Sequence, residues 1–295
     1  MKRQNIDKGV RLGFLIITFF SITALFLIMI FLLKEGLPVF KDISISDFIF
    51  GHYWYPTDDP ADFGIFPLLL GTVCVTLLSG IMAIPLGIMT AVYLAEIAPL
   101  RTAEIIKPIV ELMASMPSVI IGFFGMVVVA PFIQKLFNIP VGLNMFNASL
   151  MLAFMAIPTI CSISEDAIFA VPNTLKEASF ALGATHFETI VKVVVPASLS
   201  GICTAVILGL SRAVGETMVV LMAAGGAAMI PKSIFDPVRP MPACIAAEMA
   251  EAPFGSEHYH ALFAIGIVLF IFTFIFNLIA DYISYKFRQV GEASL

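Results

Sequence analysis

Six stretches of this chain are long and apolar enough to cross a lipid bilayer as helices. They run roughly over Leu12–Leu33, Leu68–Tyr93, Pro108–Pro131, Ala148–Ala170, Leu199–Ala224 and Ala261–Tyr285. Each is near or above the ~20 residues that span the hydrocarbon layer. Composition agrees, with 60% hydrophobic and 13% charged residues and a mean hydropathy of +1.01; a soluble domain carries about 25% charged residues. The expected architecture is an all-α polytopic membrane protein of six transmembrane helices.

The first run follows a basic start (Lys2, Arg3, Lys8, Arg11) but is too long for a signal peptide, and no small-residue cleavage site follows it before Lys34-Glu35. It is read as an uncleaved anchor. With the N-terminus inside, the inner segments hold ten basic residues (Lys2, Arg3, Lys8, Arg11, Arg101, Lys107, Lys176, Lys192, Lys286, Arg288). The outer segments hold five (Lys34, Lys41, Lys135, Lys232, Arg239). This asymmetry places both termini in the cytoplasm. The chain divides into residues 1–64, an anchor helix and outer loop; 65–285, the core of helices 2–6; and a tail at 286–295. Within the core lie an inner polar loop at 171–197 and an outer loop at 225–260. The net charge of −5 gives no reason to expect a nucleic-acid partner. Cys74, Cys161, Cys203 and Cys244 lack metal-ligand spacing and read as small apolar residues, so neither a metal nor a disulfide framework is expected. His258 and His260 have no third ligand at suitable spacing and read as interfacial side chains.

The inner loop, Thr174 to Pro196, is too polar to cross a bilayer and too patterned to be slack. Thr174 with Glu177, and Thr185 with Glu188, both fit the capping box, in which side chain and amide satisfy each other at a helix start. Gly183 between them suits a left-handed C-cap, and Pro196 is expected to close the second helix at about Val195. Two short helices joined by a glycine elbow follow, a shape suited to being gripped at a membrane surface.

Helix 5 carries Arg212 and Glu216 near its middle, where ionisable groups are costly and presumed functional. Four apart, they are expected on one helix face. One reading is a self-neutralising pair that orders the bundle. The other is a substrate pathway, with the planar Arg fork meeting an oxyanion and Glu216 accepting a proton donor. Phosphate near neutral pH keeps a hydrogen for such a carboxylate, whereas sulfate presents only lone pairs. Helix 3 contains Ser115-Met116-Pro117-Ser118, where a proline kink frees a backbone carbonyl and the two hydroxyls become pathway candidates; packing plasticity is the alternative. Thr217 completes the pathway set. Glu165 and Asp166, at the inner end of helix 4, are expected to be solvated. Outside, Tyr53-Trp54-Tyr55-Pro56 fits an interfacial aromatic belt or a docking surface, and Ala246–Ala252 a short amphipathic helix. No phosphate-binding P-loop, nucleophile elbow or metal-ligand helix is present, which leaves ATP hydrolysis to another chain and calls for no cofactor.

Glu177-Ala178-Ser179, Gly183, Val193 and Val195-Pro196 resemble the EAA loop of ABC-importer permeases (E-A-A, three residues, G, nine residues, I, one residue, L-P), departing at Ser179, Val193 and Val195. Beyond the loop, the chain resembles the C-type permease subunit of phosphate-specific (Pst) importers, within the MetI-like binding-protein-dependent permeases. The residues that carry this include Glu35-Gly36-Leu37-Pro38, Ala83-Ile84-Pro85-Leu86-Gly87, Ser211-Arg212-Ala213-Val214-Gly215-Glu216-Thr217-Met218 and Phe235-Asp236-Pro237-Val238. The resemblance implies a multi-pass permease in a bacterial or archaeal inner membrane, surrounded by lipid, importing inorganic phosphate by alternating access. It implies an A-type sister permease, two cytoplasmic ATPases and an extracytoplasmic phosphate-binding protein. It also implies that Glu177, Ala178, Ser179, Gly183, Thr185 and Pro196 belong to the loop that couples to the ATPase, and that Arg212 and Glu216 take part in transport.

Overall fold

A computed structural model describes residues 2–287, with side chains from 11 to 282. The side chains of Lys2, Arg3, Lys8, Lys286 and Arg288, and the tail beyond 287, lie outside the described residues. A long N-terminal helix, α1 (Lys2–Gly36), leads through a 3₁₀ turn to α2 (Ile45–Phe50) and a two-stranded antiparallel hairpin, β1 (Trp54–Tyr55) and β2 (Asp62–Phe63), which pairs Trp54 with Phe63. Then follow α3 (Phe66–Val92), α4 (Leu100–Ala114), α5 (Ser118–Phe124), α6 (Ala130–Phe137) and α7 (Met145–Phe169). The second half comprises α8 (Asn173–Ala181), α9 (His186–Thr189), α10 (Val195–Ala197), α11 (Leu199–Val214), α12 (Met218–Ala223), α13 (Met241–Glu248) and α14 (Glu257–Phe287). Three π turns, at 93–97, 125–129 and 190–194, interrupt this order.

Among the described residues five spans are long and apolar enough to cross a membrane: Arg11–Lys41, Phe66–Ile97, Ser118–Phe137, Met145–Phe169 and Glu257–Tyr282. A sixth arises if His186–Ala197 and Leu199–Val214, bent by 67° at Ser198, are taken together. The fold is thus an all-α polytopic one. Helices α3, α7 and α11 form its centre. Lipid gives no hydrophobic drive for helices to associate, so close approach depends on small residues. Gly87 of α3 and Gly209 of α11 both face Ile160 of α7; a Cβ at either would sit 2.8 Å or 2.6 Å from that side chain. Ala83, Ala153 and Ala156 surround the same point. By contrast, α1 leans chiefly on α14, with Phe31 edge-on to Phe263 at 5.6 Å, and exposes the rest of its apolar surface.

Two expected spans are corrected. The run Pro108–Pro131 is not one helix: α4 ends at Ala114, Ser115 caps it, and the chain turns at Met116-Pro117 before the span begins at Ser118. Pro117, extended at ψ 134°, cannot continue a helix, and α4 buries no residue in the bundle. The run Leu199–Ala224 likewise breaks at Gly215-Glu216-Thr217, separating α11 from α12. The helix expected over Ala246–Ala252 lies earlier, at Met241–Glu248. The bundle has two ends. One carries the hairpin, α13 and the loops around 138–144 and 225–256; the other carries α4, α8, α9 and α10.

Candidate functional site

The elbow is built by its own sequence. Gly183 adopts φ +83°, and its amide and that of Ala184 bond back to Phe180 O at 2.9 Å and Ser179 O at 3.2 Å, which closes the end of α8. Thr185 then starts α9 with a complete capping box: Thr185 Oγ1 accepts from the Glu188 amide at 3.3 Å, and Glu188 Oε2 accepts from the Thr185 amide at 3.1 Å. That amide first, and then Lys192 at 3.1 Å, hold the Glu188 carboxyl down at about 2. The hydroxyls of Ser179 and Thr189 meet at 2.9 Å and tie the two arms together.

The first capping box does not form. Pro172 sets the entry to α8 with φ −59° and ψ 135°, so the helix is already under way at Asn173 and Thr174 lies within it. Glu177 and Ala178 are exposed on α8. Pro196 does not end the second helix either. It sits in the first turn of α10, where its missing N–H is harmless, and Ser198 Oγ donates to Val194 O at 2.9 Å and Val195 O at 3.2 Å as the chain bends into α11.

The elbow's outward surface is apolar. Leu182 is 89% and Phe187 73% exposed, with Phe180 stacked on His186 beside them. Its inward surface is tethered. Lys176 Nζ meets Glu96 Oε1 at 2.6 Å, in the π turn that follows α3. Nearby, Lys107 of α4 reaches Glu165 at 2.7 Å and Asp166 at 3.5 Å. The hydrogen bond that Lys107 donates to Glu165 is the main cause of its raised pKa. Glu165 is therefore paired rather than solvated, which corrects the expectation for it; Asp166 stays exposed.

The break between α11 and α12 lies beside the two charges expected near the middle of helix 5. Arg212 lies in the last turn of α11, exposed, and makes no ion pair or hydrogen bond among the described residues. Glu216 lies in the break itself, half-buried. Its Oε1 accepts from the amides of Met218 at 3.1 Å and Val219 at 3.3 Å, satisfying the free N–H groups at the start of α12. The shared helix face and the Arg212–Glu216 pair expected from their spacing are thus absent among the described residues. Thr217 Oγ1 donates to Gly215 O at 3.3 Å within the same turn. Thr72, Thr76, Glu216 and Pro240 line a small void beside the break. Of the two helix 3 hydroxyls, Ser118 opens α5, which packs on α12. Ser115 bonds to Leu112 O at 2.7 Å as the cap of α4 and does not share the span.

At the hairpin end one carboxylate gathers four segments. Glu248 accepts from Trp54 Nε1 at 3.0 Å, lies 2.9 Å from His258 Nε2 and pairs with Arg239, which also donates from Nε to Gly226 O. Trp54 is buried, so it serves this cluster rather than an interfacial belt; Tyr53 and Tyr55 remain exposed. His260 Nδ1 lies 2.7 Å from Glu35 O, fastening α14 to the end of α1. The tethers Lys176–Glu96 and Glu248–Arg239 are not legible in the sequence. The only hint was the presence of charge beside apolar runs.

Residues 83–289 match the family model described as the binding-protein-dependent transport system inner membrane component. The chain is 37% identical over 287 residues to the "Probable ABC transporter permease protein YqgH" of Bacillus subtilis, covering 96% of this chain and 93% of that protein. It is 35% identical over 254 residues to the "Phosphate transport system permease protein PstC" of Mesorhizobium japonicum (80% and 77%), and 31% identical over 294 residues to that of Haemophilus influenzae (90% and 92%). Among solved structures it resembles a bacterial alginate ABC transporter in complex with its pentasaccharide-bound periplasmic protein, with TM-score 0.65, 16% identity and coverage of 98% and 99%. It also resembles the MetNI methionine transporter facing inward, with TM-score 0.60, 22% identity and coverage of 74% and 94%.

Proposed function

The chain belongs to the binding-protein-dependent transport system inner membrane components and is an ABC-importer permease subunit; from that premise we propose that it imports inorganic phosphate. The observation that carries this reading is the break at 215–217. Among the described residues Arg212, one turn before it, has no ion pair or hydrogen bond, and Glu216 uses only Oε1, leaving Oε2 without a hydrogen bond. A guanidinium binds an oxyanion through a planar fork, and a free carboxylate oxygen rewards an anion that still carries a hydrogen. Relatives named as phosphate permeases at 31–35% identity support the same substrate.

In this reading the elbow end faces the cytoplasm and its exposed Leu182 and Phe187 seat in an ATPase, one of a pair. The sister subunit is an A-type permease that covers exposed apolar faces of the bundle. A loaded phosphate-binding protein docks at the hairpin end. ATP-driven closure of the ATPases moves the elbows and opens the pathway by alternating access. The test is radiolabelled phosphate uptake in cells lacking their own importers and expressing this chain with its cognate partners. Competition by unlabelled arsenate alone is the expected result. Competition by sulfate or molybdate keeps the permease but overturns the substrate; no uptake of any oxyanion makes the chain a scaffold or sensor.

A further inference from the structure

We propose that the Lys176–Glu96 ion pair is the linkage through which the elbow moves α3, and so the break at Glu216; this rests on the reading that the elbow docks on an ATPase. Beyond the turns that join it to α9, α8 packs chiefly on α9 and the π turn 190–194. A push on the elbow therefore has two ways into the bundle. One runs along 190–197, where Val194 is buried in one apolar cluster with Ala91, Leu94, Cys161 and Ile168, and on through the 67° bend at Ser198. The other is direct: Lys176, 80 positions from Glu96 in sequence, grips the cytoplasmic end of α3 at 2.6 Å.

Surface ion pairs contribute little because water and salt screen them. This one is different, with side chains 19% and 7% exposed. Two charges so far removed from water are costly to separate, so they act as a strut rather than a loose contact. Helix α3 then carries displacement onward. Its 27 residues lie against α7 over their length. Near the far end, Thr72 Oγ1 accepts from the Met241 amide at 2.9 Å, and Gly71 packs against the backbone of Arg239. Thr72 and Thr76 line the void that Glu216 also lines. One helix thus touches the elbow, the charged break and the hairpin-end loop.

The test uses the full importer, reconstituted in vesicles with its sister permease, ATPases and phosphate-loaded binding protein, measuring phosphate uptake and ATP hydrolysis together. Lys176→Met and Glu96→Gln are expected to keep ATPase co-purification and basal ATP hydrolysis, while phosphate moved per ATP falls at least tenfold. Lys176→Arg, and the charge-swapped double variant Lys176→Glu with Glu96→Lys, are expected to restore it. Unchanged transport per ATP in both single variants overturns the proposal. So does loss of ATPase co-purification in both, which reduces the pair to a support for α8. Leu182→Glu is run alongside: normal ATPase co-purification in that variant removes the docking reading instead, whatever the ion pair does.

Discussion

Arg212 closes α11, whereas Glu216 lies in the helix break that follows and caps α12 through two backbone amides. The carboxylate therefore has two separable duties. Its Oε1 holds the backbone of the break, and under the proposed function its charge serves the pathway. Glu216→Gln keeps an acceptor for both amides and is expected to insert and assemble normally while uptake falls at least tenfold. Glu216→Ala loses the cap as well, at roughly 1 kcal/mol, and is expected to lower the thermal midpoint. Uptake at the wild-type level in Glu216→Gln contradicts a pathway role.

The φ of +83° at Gly183 meets no neighbouring atom, so only the backbone limits what stands there. Gly183→Val strains the left-handed turn by roughly 1–2 kcal/mol and is expected to unseat the ATPase with insertion unchanged. Gly183→Asn, which tolerates that conformation, is expected to be nearly silent. Co-purification of the ATPase distinguishes the two.

Leu182 and Phe187 expose their apolar surface at the elbow's tip. Phe187→Asp leaves the capping box intact, because Thr185 and Glu188 do not use that side chain. It is expected to weaken ATPase binding at least tenfold, read from titration of the purified ATPase onto the reconstituted permease.

Ile160 is clasped between Gly87 and Gly209. Gly209→Val drives a branched side chain into it and is expected to destabilise the bundle by about 1–3 kcal/mol, as overpacking does. Adding Ile160→Ala is expected to recover part of the loss in thermal midpoint; an additive loss contradicts the clasp.

Glu248→Ala leaves Trp54, Arg239 and His258 without their shared acceptor. A part-buried cluster broken on one side is expected to lose about 3 kcal/mol. Thermal unfolding monitored through Trp54, the chain's only tryptophan, checks it directly.

What sequence revealed was local. The spans near Leu68–Tyr93 and Ala148–Ala170 follow from uninterrupted hydropathy, and Gly183 with the Thr185–Glu188 box follows from residues within a few positions of one another. Pro108–Pro131 misled because hydropathy continues through Pro117 while the backbone does not. Spacing Arg212 and Glu216 four apart presumes an unbroken helix, and Gly215 was the sign that it breaks. The π turns have no sequence signature of this kind. Lys176–Glu96 and Trp54–Glu248 join residues 80 and 194 positions apart, and only the folded bundle brings such side chains together.

The most direct measurement is radiolabelled phosphate uptake by Arg212→Gln beside Arg212→Lys and the wild type, with membrane content and ATP hydrolysis recorded for each. Both variants are expected to insert and assemble with the ATPase normally. Uptake is expected to fall at least tenfold in Arg212→Gln and to be only partly restored by lysine, which keeps the charge but not the fork. Wild-type uptake in Arg212→Gln would contradict this expectation and remove the α11–α12 break from the phosphate path.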